Sequence, residues 1–505
     1  MQEQLPDILE LERKIDEALL ETAKSCGINI NKLNISELER RIEEIILSKA
    51  KLYIANKDFE PAAKIYKELG YSNKVKKLYK LVAKRKLDEG DLEGAATYYE
   101  YAGEPEDLKK AVRLWEKYAR KLIESRYLYR SASIYGNDIA RIYKKLNDME
   151  GVKNALIKAG DLYMEIKGPL PWPLGPTWYT GLNSFILAAR RYREAGESEK
   201  AKEAAKKAIK NLVSVLIWMI FNYITNGNLI FKMLFTKDKI PERCEDIAKI
   251  YETYLEDPKK AKIFYRLAAK MARILGRNYY AAKLYEKAGD LEKTLELLEK
   301  LAEEKKDKFP ADTANLYVEI ARLYKKLNKG EKMIKETLMK ALDLYIKEEC
   351  WRSAADVCEM LGDFEKAKWY RKKYIEKYIE ELRYDASSTS DLHKRAVIHK
   401  VIAETYEEKL KDPKKAMEDW KISGIFYVES GLKDFNDGYI DEWKCASAAE
   451  AFEKTGDLRI AKKLWLLAAI DSLETGIYTT STKKEGSYIA AADYLMRAKR
   501  IKINT

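Results

Sequence analysis

The sequence is poor in the residues that interrupt helices or build disulfide frameworks. Only 11 prolines and 23 glycines punctuate 505 residues, so long helices can form almost everywhere. The five cysteines contain no Cys-x-x-Cys pair, which argues against a disulfide scaffold and predicts reduced, mostly buried thiols. Glutamine occurs only at Gln2 and Gln4, whereas lysine and glutamate are abundant, a bias typical of thermophiles.

Residue patterns that carry chemistry are also scarce. The only histidines, His393 and His399, are six residues apart and would point to different faces of a helix, which argues against a joint metal site. Cys350 and Cys358 could share a helix face, but no third ligand accompanies them. No phosphate loop, H-E-x-x-H zinc motif or serine elbow is present. The sequence therefore predicts no enzyme activity, no cofactor, no metal and no small-molecule substrate.

The charge pattern contains no long block of one sign. The net charge of +13 comes from 95 basic and 82 acidic residues that are interspersed, as expected for solvated helix faces with i,i+4 ion pairs. A basic balance can favour nucleic acid, anionic lipid or acidic proteins. The first 25 residues fit an amphipathic helix and not a secretion leader, so we expect a cytoplasmic protein, either free or peripheral to a membrane.

A nine-residue pattern recurs along the chain: two alanines, two variable residues, a large residue, three variable residues and a glycine. Adjacent alanines allow a neighbouring helix to approach closely, and the glycine suits the left-handed residue that ends a helix. The copies begin at Ala62, Ala95, Ala188, Ala281, Ala354 and Ala448, with a degenerate copy at Ala491. The pattern predicts a repeated helix–turn–helix unit.

A second pattern, Ile-Ala-x-x-Tyr, begins at Ile139, Ile247, Ile320 and Ile402. Ile247 lies 34 residues before Ala281, and Ile320 lies 34 before Ala354, the period of a tetratricopeptide hairpin. No strand alternation competes with these periods. The predicted fold is all-α, a right-handed α-α superhelix of antiparallel hairpins. We predict four segments along the chain. Residues 1–135 form N-terminal hairpins, and residues 136–246 form a repeat with insertions at 168–182 and 211–235. Residues 247–401 form two repeat units, and residues 402–505 form a repeat unit and capping helices.

Two segments carry a family resemblance. The residues IAKIYETYLEDPKKAKIFYRLAAKMARILGRNYYAAKLYEKAGDL, from Ile247, resemble soluble NSF-attachment proteins, as do IAETYEEKLKDPKKAMEDWKISGIFYVESG, from Ile402. The resemblance implies a twisted sheet of tetratricopeptide-like hairpins that grips an acidic coiled-coil partner. The basic end RAKRIKINT, from Arg497, departs from that family's C-terminus, so SNARE disassembly is not implied.

Two insertions are candidate binding regions. The uncharged segment from Gly168 to Leu182 holds four prolines and predicts a rigid, extended loop, either a binding element or a plug for a helical pair. An apolar segment near 211–235 is interrupted at 226–228, which favours two short helices over a membrane span. We expect this apolar segment either to pack against the proline loop or to form a surface that contacts a membrane or a partner protein. Their candidate partner-binding residues are Trp172, Trp178, Tyr179, Trp218, Phe221 and Phe231.

Basic residues recur in the Ile-Ala-x-x-Tyr helices. They are either ordinary solvated surface or a positively charged face for an acidic helix or nucleic acid. The fourth copy breaks the pattern with Glu404, Glu407 and Glu408. The basic candidates are Arg141, Lys144, Lys145, Lys249, Arg322, Lys325 and Lys326.

The function that fits these patterns best is a non-catalytic scaffold that binds a peptide, helix or protein assembly along a repeat surface. Two alternatives remain open from the sequence. One is a peripheral membrane adaptor that uses residues 168–235, and the other is a helical-repeat protein that binds nucleic acid through its positive charge.

Overall fold

The computed structural model describes residues 7–28, 34–166, 178–224, 239–433, 440–478 and 483–502. Within these ranges the regular structure is helical and contains no strand, which confirms the all-α prediction. Short turns join most consecutive helices into hairpins, and two π-helical turns, Ile134–Ile139 and Tyr406–Leu410, interrupt the α-helices. The described residues thus form a succession of helical hairpins.

The chain divides into two compact units. The first comprises Met1–Glu89, Tyr101–Gly103 and Lys372–Thr505, and the second comprises Gly90–Glu100 and Glu104–Arg371. The first unit thus combines residues from both ends of the sequence. The four segments predicted from the sequence are a finer division than these two units, and their boundaries remain predictions.

The helices are numbered in chain order. The first four are α1 (Ile8–Ser25), α2 (Ile35–Ala55), α3 (Phe59–Glu68) and α4 (Ser72–Asp88). Next come α5 (Leu92–Ala102), α6 (Pro105–Glu124), α7 (Leu128–Ser133), α8 (Ala140–Lys145), α9 (Met149–Glu165), α10 (Trp178–Glu194) and α11 (Ser198–Ile224). The middle of the chain holds α12 (Ile240–Thr253), α13 (Pro258–Ile274), α14 (Asn278–Ala288), α15 (Leu291–Lys305), α16 (Pro310–Lys326), α17 (Glu331–Lys347) and α18 (Trp351–Leu361). The last are α19 (Phe364–Ser388), α20 (Leu392–Thr405), α21 (Pro413–Lys433), α22 (Glu442–Thr455), α23 (Leu458–Tyr478) and α24 (Lys483–Arg500).

The alanine pairs form the centres of the helix–helix contacts. Both alanines of all seven copies, including the degenerate one, have no exposed surface. The residue at the large position one turn later is also buried in every copy, from Tyr99 at 6% exposure to Phe452 and Leu495 at 0%. Small residues let the helix axes approach, and the large residue fills the space beside them. The repeat is therefore a core motif.

The glycines of the six full copies end their helices in the left-handed conformation. Their φ values run from +72° at Gly103 to +85° at Gly456. After Gly289 the backbone N–H of Asp290 donates to the carbonyl of Tyr285 at 2.9 Å, which satisfies an otherwise orphaned helix-end carbonyl. Glycine is favoured here because a Cβ is strained at positive φ.

Replacing Gly456 with alanine is expected to destabilise the first unit by about 1–2 kcal/mol, because alanine is strained at φ +85°. Gly486→Ala is the matched control in the same unit. An added Cβ meets nothing within 4 Å at either site, but Gly486 lies inside α24. There alanine should stabilise the helix by about 0.5–1 kcal/mol. Denaturant unfolding of both variants checks the pair, and equal changes at the two sites would contradict the assignment.

The Ile-Ala-x-x-Tyr helices are equally buried along one face. Each of their four Ile-Ala pairs is at most 3% exposed. Tyr324 donates to Glu299 at 2.7 Å, which ties α16 to α15. Tyr265 and Trp420 occupy equivalent places 155 residues apart, and each donates to a glutamate thirteen residues earlier, at 2.9 Å and 3.4 Å. The segments that begin at Ile247 and Ile402 therefore share this side-chain contact.

The structure corrects two predicted boundaries. Helix α10 begins at Trp178, so residues 178–182 of the expected extended loop are helical. The last proline of that segment is Pro176, and a helix can start after it. Helix α11 runs unbroken to Ile224, so the apolar segment starts as the end of one long helix and not as a separate short one. Residues 167–177, 225–238 and 434–439 lie outside the described residues.

Among the described residues, no helix is both long enough and apolar enough to cross a bilayer.

Candidate functional site

The basic residues predicted as a binding face include several that join neighbouring helices. Glu100 is buried and directly follows Tyr99 in one copy of the nine-residue pattern. Its two carboxylate oxygens accept hydrogen bonds from Arg141, both at 3.0 Å, and one of them also accepts from Lys145 at 2.7 Å. Lys326 makes the equivalent contact with Glu286 at 2.7 Å. The buried Glu100 carboxylate needs such partners, and at both places the cations help to join one repeat to another.

Lys249 belongs to a similar cluster around Glu245, which is 8% exposed. Lys249 and Lys287 lie 3.0 Å and 2.8 Å from its carboxylate, and Tyr280 donates a hydrogen bond to it. Burial acts to raise the pKa of Glu245, but the hydrogen bonds from Lys287, Tyr280 and Lys249 lower it to about 2. In two copies of the nine-residue pattern a glutamate directly follows the tyrosine, at Glu100 and at Glu286. This glutamate is the sequence signal that would have identified the partners of Arg141, Lys145 and Lys326.

The other predicted site residues are placed differently. Lys144, Arg322 and Lys325 are exposed on helices of the second unit. Trp172 and Phe231 lie outside the described residues, and so do the side chains of Trp178, Tyr179, Trp218 and Phe221. Their roles in partner binding remain predictions.

A groove that the sequence did not indicate lies in the second unit, between α13 and α15 and over α14. We call it the basic groove, and its volume is about 540 Å³. Its walls are two helical stripes with i, i+3, i+4 spacing, so each stripe lies on one helix face. The lining residues are Lys270, Arg273, Ile274, Tyr285, Lys293, Glu296 and Leu297.

The basic groove combines unpaired positive charge with apolar surface. Among the described residues, Lys270, Arg273 and Lys293 have no carboxylate within 4.0 Å, and Glu296 is the single carboxylate of the lining. The Lys293 ammonium lies 5.6 Å from the centre of the Tyr285 ring, a cation–π distance. Ile274, the last residue of α13, is 75% exposed and adds apolar surface to the groove. The groove therefore presents two net positive charges around an apolar edge.

The groove continues on the other side of α15. A second depression of about 430 Å³ shares Lys293 and Glu296 with it. Met333, which is 42% exposed, adds apolar surface there, and Lys329 is held 3.5 Å from Glu292. Glu292 and Glu299 also line the second depression, so it adds room beside the basic groove but no net positive charge.

The first unit contains a groove of the opposite sign, of about 600 Å³, which we call the acidic groove. It is lined by Lys400, Glu404, Glu407, Glu408, Lys411, Trp420, Glu450, Glu453 and Lys454. Lys454 lies 3.0 Å from Glu407, and its hydrogen bond lowers the pKa of that carboxyl. The glutamates that break the basic pattern in the fourth Ile-Ala-x-x-Tyr copy thus gather in one groove.

The histidines do not form a shared site. His399 is buried with its Nδ1 2.8 Å from Asp419, whose other oxygen accepts from Arg383 at 2.8 Å. His393 packs instead against Tyr427 and Trp443. Among the described residues, no group of three or more His, Cys, Asp or Glu side chains could hold a metal ion. All five cysteines are free.

Comparison with known proteins gives likeness to solved structures only. No family model and no curated protein matches the sequence. A putative kinesin light chain with nearly identical TPR-like repeats from Podosopora anserina is 15% identical, with 44% of this chain and 97% of that chain covered and a TM-score of 0.28. The RpL4 assembly chaperone Acl4 is 17% identical, with 56% and 95% covered and a TM-score of 0.25. A tetratricopeptide repeat protein from Parabacteroides merdae is 15% identical, with 57% and 98% covered and a TM-score of 0.19.

Proposed function

We propose that this protein is a non-catalytic interaction scaffold whose basic groove binds a short acidic segment of a partner protein. The proposal depends on Lys270, Arg273 and Lys293, three cations without ion pairs that surround the exposed Ile274. Elsewhere in the same unit, buried carboxylates such as Glu100 and Glu245 pair with the cations near them. Unpaired charge beside exposed apolar surface is typical of an interaction site.

The chemistry of the groove specifies the segment. The planar Arg273 guanidinium suits a bidentate contact with an Asp or Glu carboxylate, and the two lysines provide point charges on either wall. Ile274 and Leu297 would contact an apolar side chain next to those acids. Because the repeats are rigid helical hairpins, little conformational entropy would be lost by the scaffold on binding. The resemblance to NSF-attachment proteins agrees with an acidic partner, and membership of that family is part of the proposal.

Charge reversal of the groove is expected to lower the affinity for an acidic peptide about 10- to 100-fold, because three favourable ion pairs become repulsive. The variant carries Lys270→Glu, Arg273→Glu and Lys293→Glu in the full chain. Fluorescence anisotropy would measure binding of a short leucine-containing Asp/Glu peptide at low and high salt. A peptide with Asn and Gln in place of the acids tests the charge requirement.

The matched control carries Lys144→Glu, Arg322→Glu and Lys325→Glu, which reverses two lysines and one arginine in the same unit. This control should bind like the unchanged protein. If it loses the peptide while the groove variant keeps it, the basic groove is the wrong site and the sequence-predicted surface is the right one. A single-stranded RNA that binds while the acidic peptide does not would favour the nucleic-acid alternative.

A further inference from the structure

The first helix is held by residues that come far later in the chain. Helix α1 packs chiefly on α23 and also touches α21, whereas α2 packs on its chain neighbour α3 as well as on α24. Its apolar stripe is fully buried in the first unit, with Leu11, Ile15 and Leu19 at most 1% exposed. The surface on α21 and α23 therefore already holds an amphipathic helix.

That surface contains a lysine with almost no contact with water. The side chain of Lys463 is 2% exposed, and its Nζ lies 2.6 Å from both Glu12 and Asp16 of α1. The Nε of Arg459 lies 3.1 Å from the same Glu12 carboxylate oxygen. A buried ammonium is costly without carboxylate partners, so the surface is electrostatically complete only when an acidic helix covers it.

The same arrangement occurs a second time on the neighbouring helix. Glu39 of α2 lies 2.8 Å from Lys462, and Glu43 pairs with Lys499. In α1 and in α2 the two carboxylates are four residues apart, so they project one turn apart from the same helix face. The last two helices thus bind the same chemical pattern twice: an apolar stripe flanked by carboxylates at i and i+4.

We propose that the surface of α21 and α23 around Lys463 is a binding site for an acidic amphipathic helix of a partner protein, and that α1 is its intramolecular occupant. A partner helix with carboxylates at i and i+4 beside an apolar stripe would displace α1. This site is separate from the basic groove, so the inference goes beyond the proposed function.

The structure contains a reporter of displacement. Cys26, at the end of α1, has its Sγ 3.6 Å from the carbonyl of Ile470, and burial raises the pKa of its thiol to about 12. Tyr478 donates to the carbonyl of Ser25 beside it at 3.1 Å. Cys26 is partly buried while α1 is docked, so docking slows its reaction with thiol reagents and displacement of α1 speeds it. Cys445, 1% exposed in the same unit, reports unfolding of the whole unit.

The test uses the full chain and a synthetic peptide of residues 7–25, which lacks Cys26. Added peptide is expected to raise the maleimide labelling rate of Cys26 at least about tenfold without changing that of Cys445, as measured by mass spectrometry. A Glu12→Gln/Asp16→Asn variant, in which α1 competes less well, should bind the labelled peptide at least about tenfold more tightly. Glu17→Gln, on the exposed face of α1, is the matched control and should change neither quantity.

Three results would overturn the inference. The first is a Cys26 labelling rate equal to that of Cys445 in the unchanged protein, since α1 would then open only when the unit unfolds. The second is a peptide with Gln and Asn at positions 12 and 16 that binds as well as the acidic one. The third is a folded Glu12→Gln/Asp16→Asn variant with no measurable peptide binding. If this variant does not fold, peptide-induced labelling of Cys26 in the unchanged protein decides the matter alone.

Discussion

Raising the pH from about 5 to about 9 is expected to destabilise the first unit by several kcal/mol, and Asp471→Asn is expected to remove most of that loss. Asp471 lies in α23 with 7% of its surface exposed. Burial, followed by the charges of Glu442, Glu474 and Asp441, raises the pKa of Asp471 to about 8. The thiols of Cys26 and Cys445 also lie within reach of this carboxyl, because the Asp471 charge contributes to the raised pKa of each.

The direction follows from proton binding. Between the ordinary carboxyl pKa of 3.8 and the folded value of about 8, the folded state holds a proton on Asp471 that the unfolded state has released. Folding stability therefore falls as the pH rises through this window, and it is level with respect to this group below and above it. Each pKa unit corresponds to about 1.4 kcal/mol, so the total is on the order of several kcal/mol.

Denaturant unfolding across this pH range checks the effect, with hydrogen exchange of α23 as a local readout. Asp385→Asn is the matched control, because Asp385 is exposed in the same unit. That control should keep the pH dependence of the unchanged protein. A pH profile of Asp471→Asn that is superimposable on that of the unchanged protein would show that Asp471 does not titrate in this window.

Replacing Ala449 with leucine is expected to destabilise the first unit by about 3 kcal/mol. Ala449 is the second alanine of a repeat copy and has no exposed surface. Its helix, α22, packs closely on α21, where a Cβ added to Gly424 would lie 3.0 Å from the Phe452 ring. The three extra carbons of leucine have no space there, and overpacking of a close contact costs about 1–3 kcal/mol or more.

Ala55→Leu is the control for the chemistry of the change. Ala55 is the exposed last residue of α2 in the same unit, where the substitution should alter stability by less than about 0.5 kcal/mol. Thermal or denaturant unfolding of both variants separates the two cases. If Ala449→Leu is as well tolerated as Ala55→Leu, the alanine pair is not the point of closest helix approach.

The elements that follow from local rules were predictable from the sequence. The alanine pairs, the Ile-Ala pairs and the glycines that end helices are all placed as their patterns predict, because a 3.6-residue period and a positive φ are properties of a few consecutive residues. The same rules placed a helix near residues 8–25 but missed that α11 continues through Ile224, since an apolar run does not show whether it starts a helix or extends one.

The sequence alone determined that this chain folds into repeated helical hairpins and which faces of those helices are buried. Only the tertiary structure decided which charges remain free. Arg141 is committed to Glu100, 41 residues earlier, and Lys463 to Glu12, 451 residues earlier, whereas Lys270, Arg273 and Lys293 are left to form the basic groove. An ion pair depends on the register between distant helices, and helical periodicity specifies the face of a charged residue but not the partner that it meets.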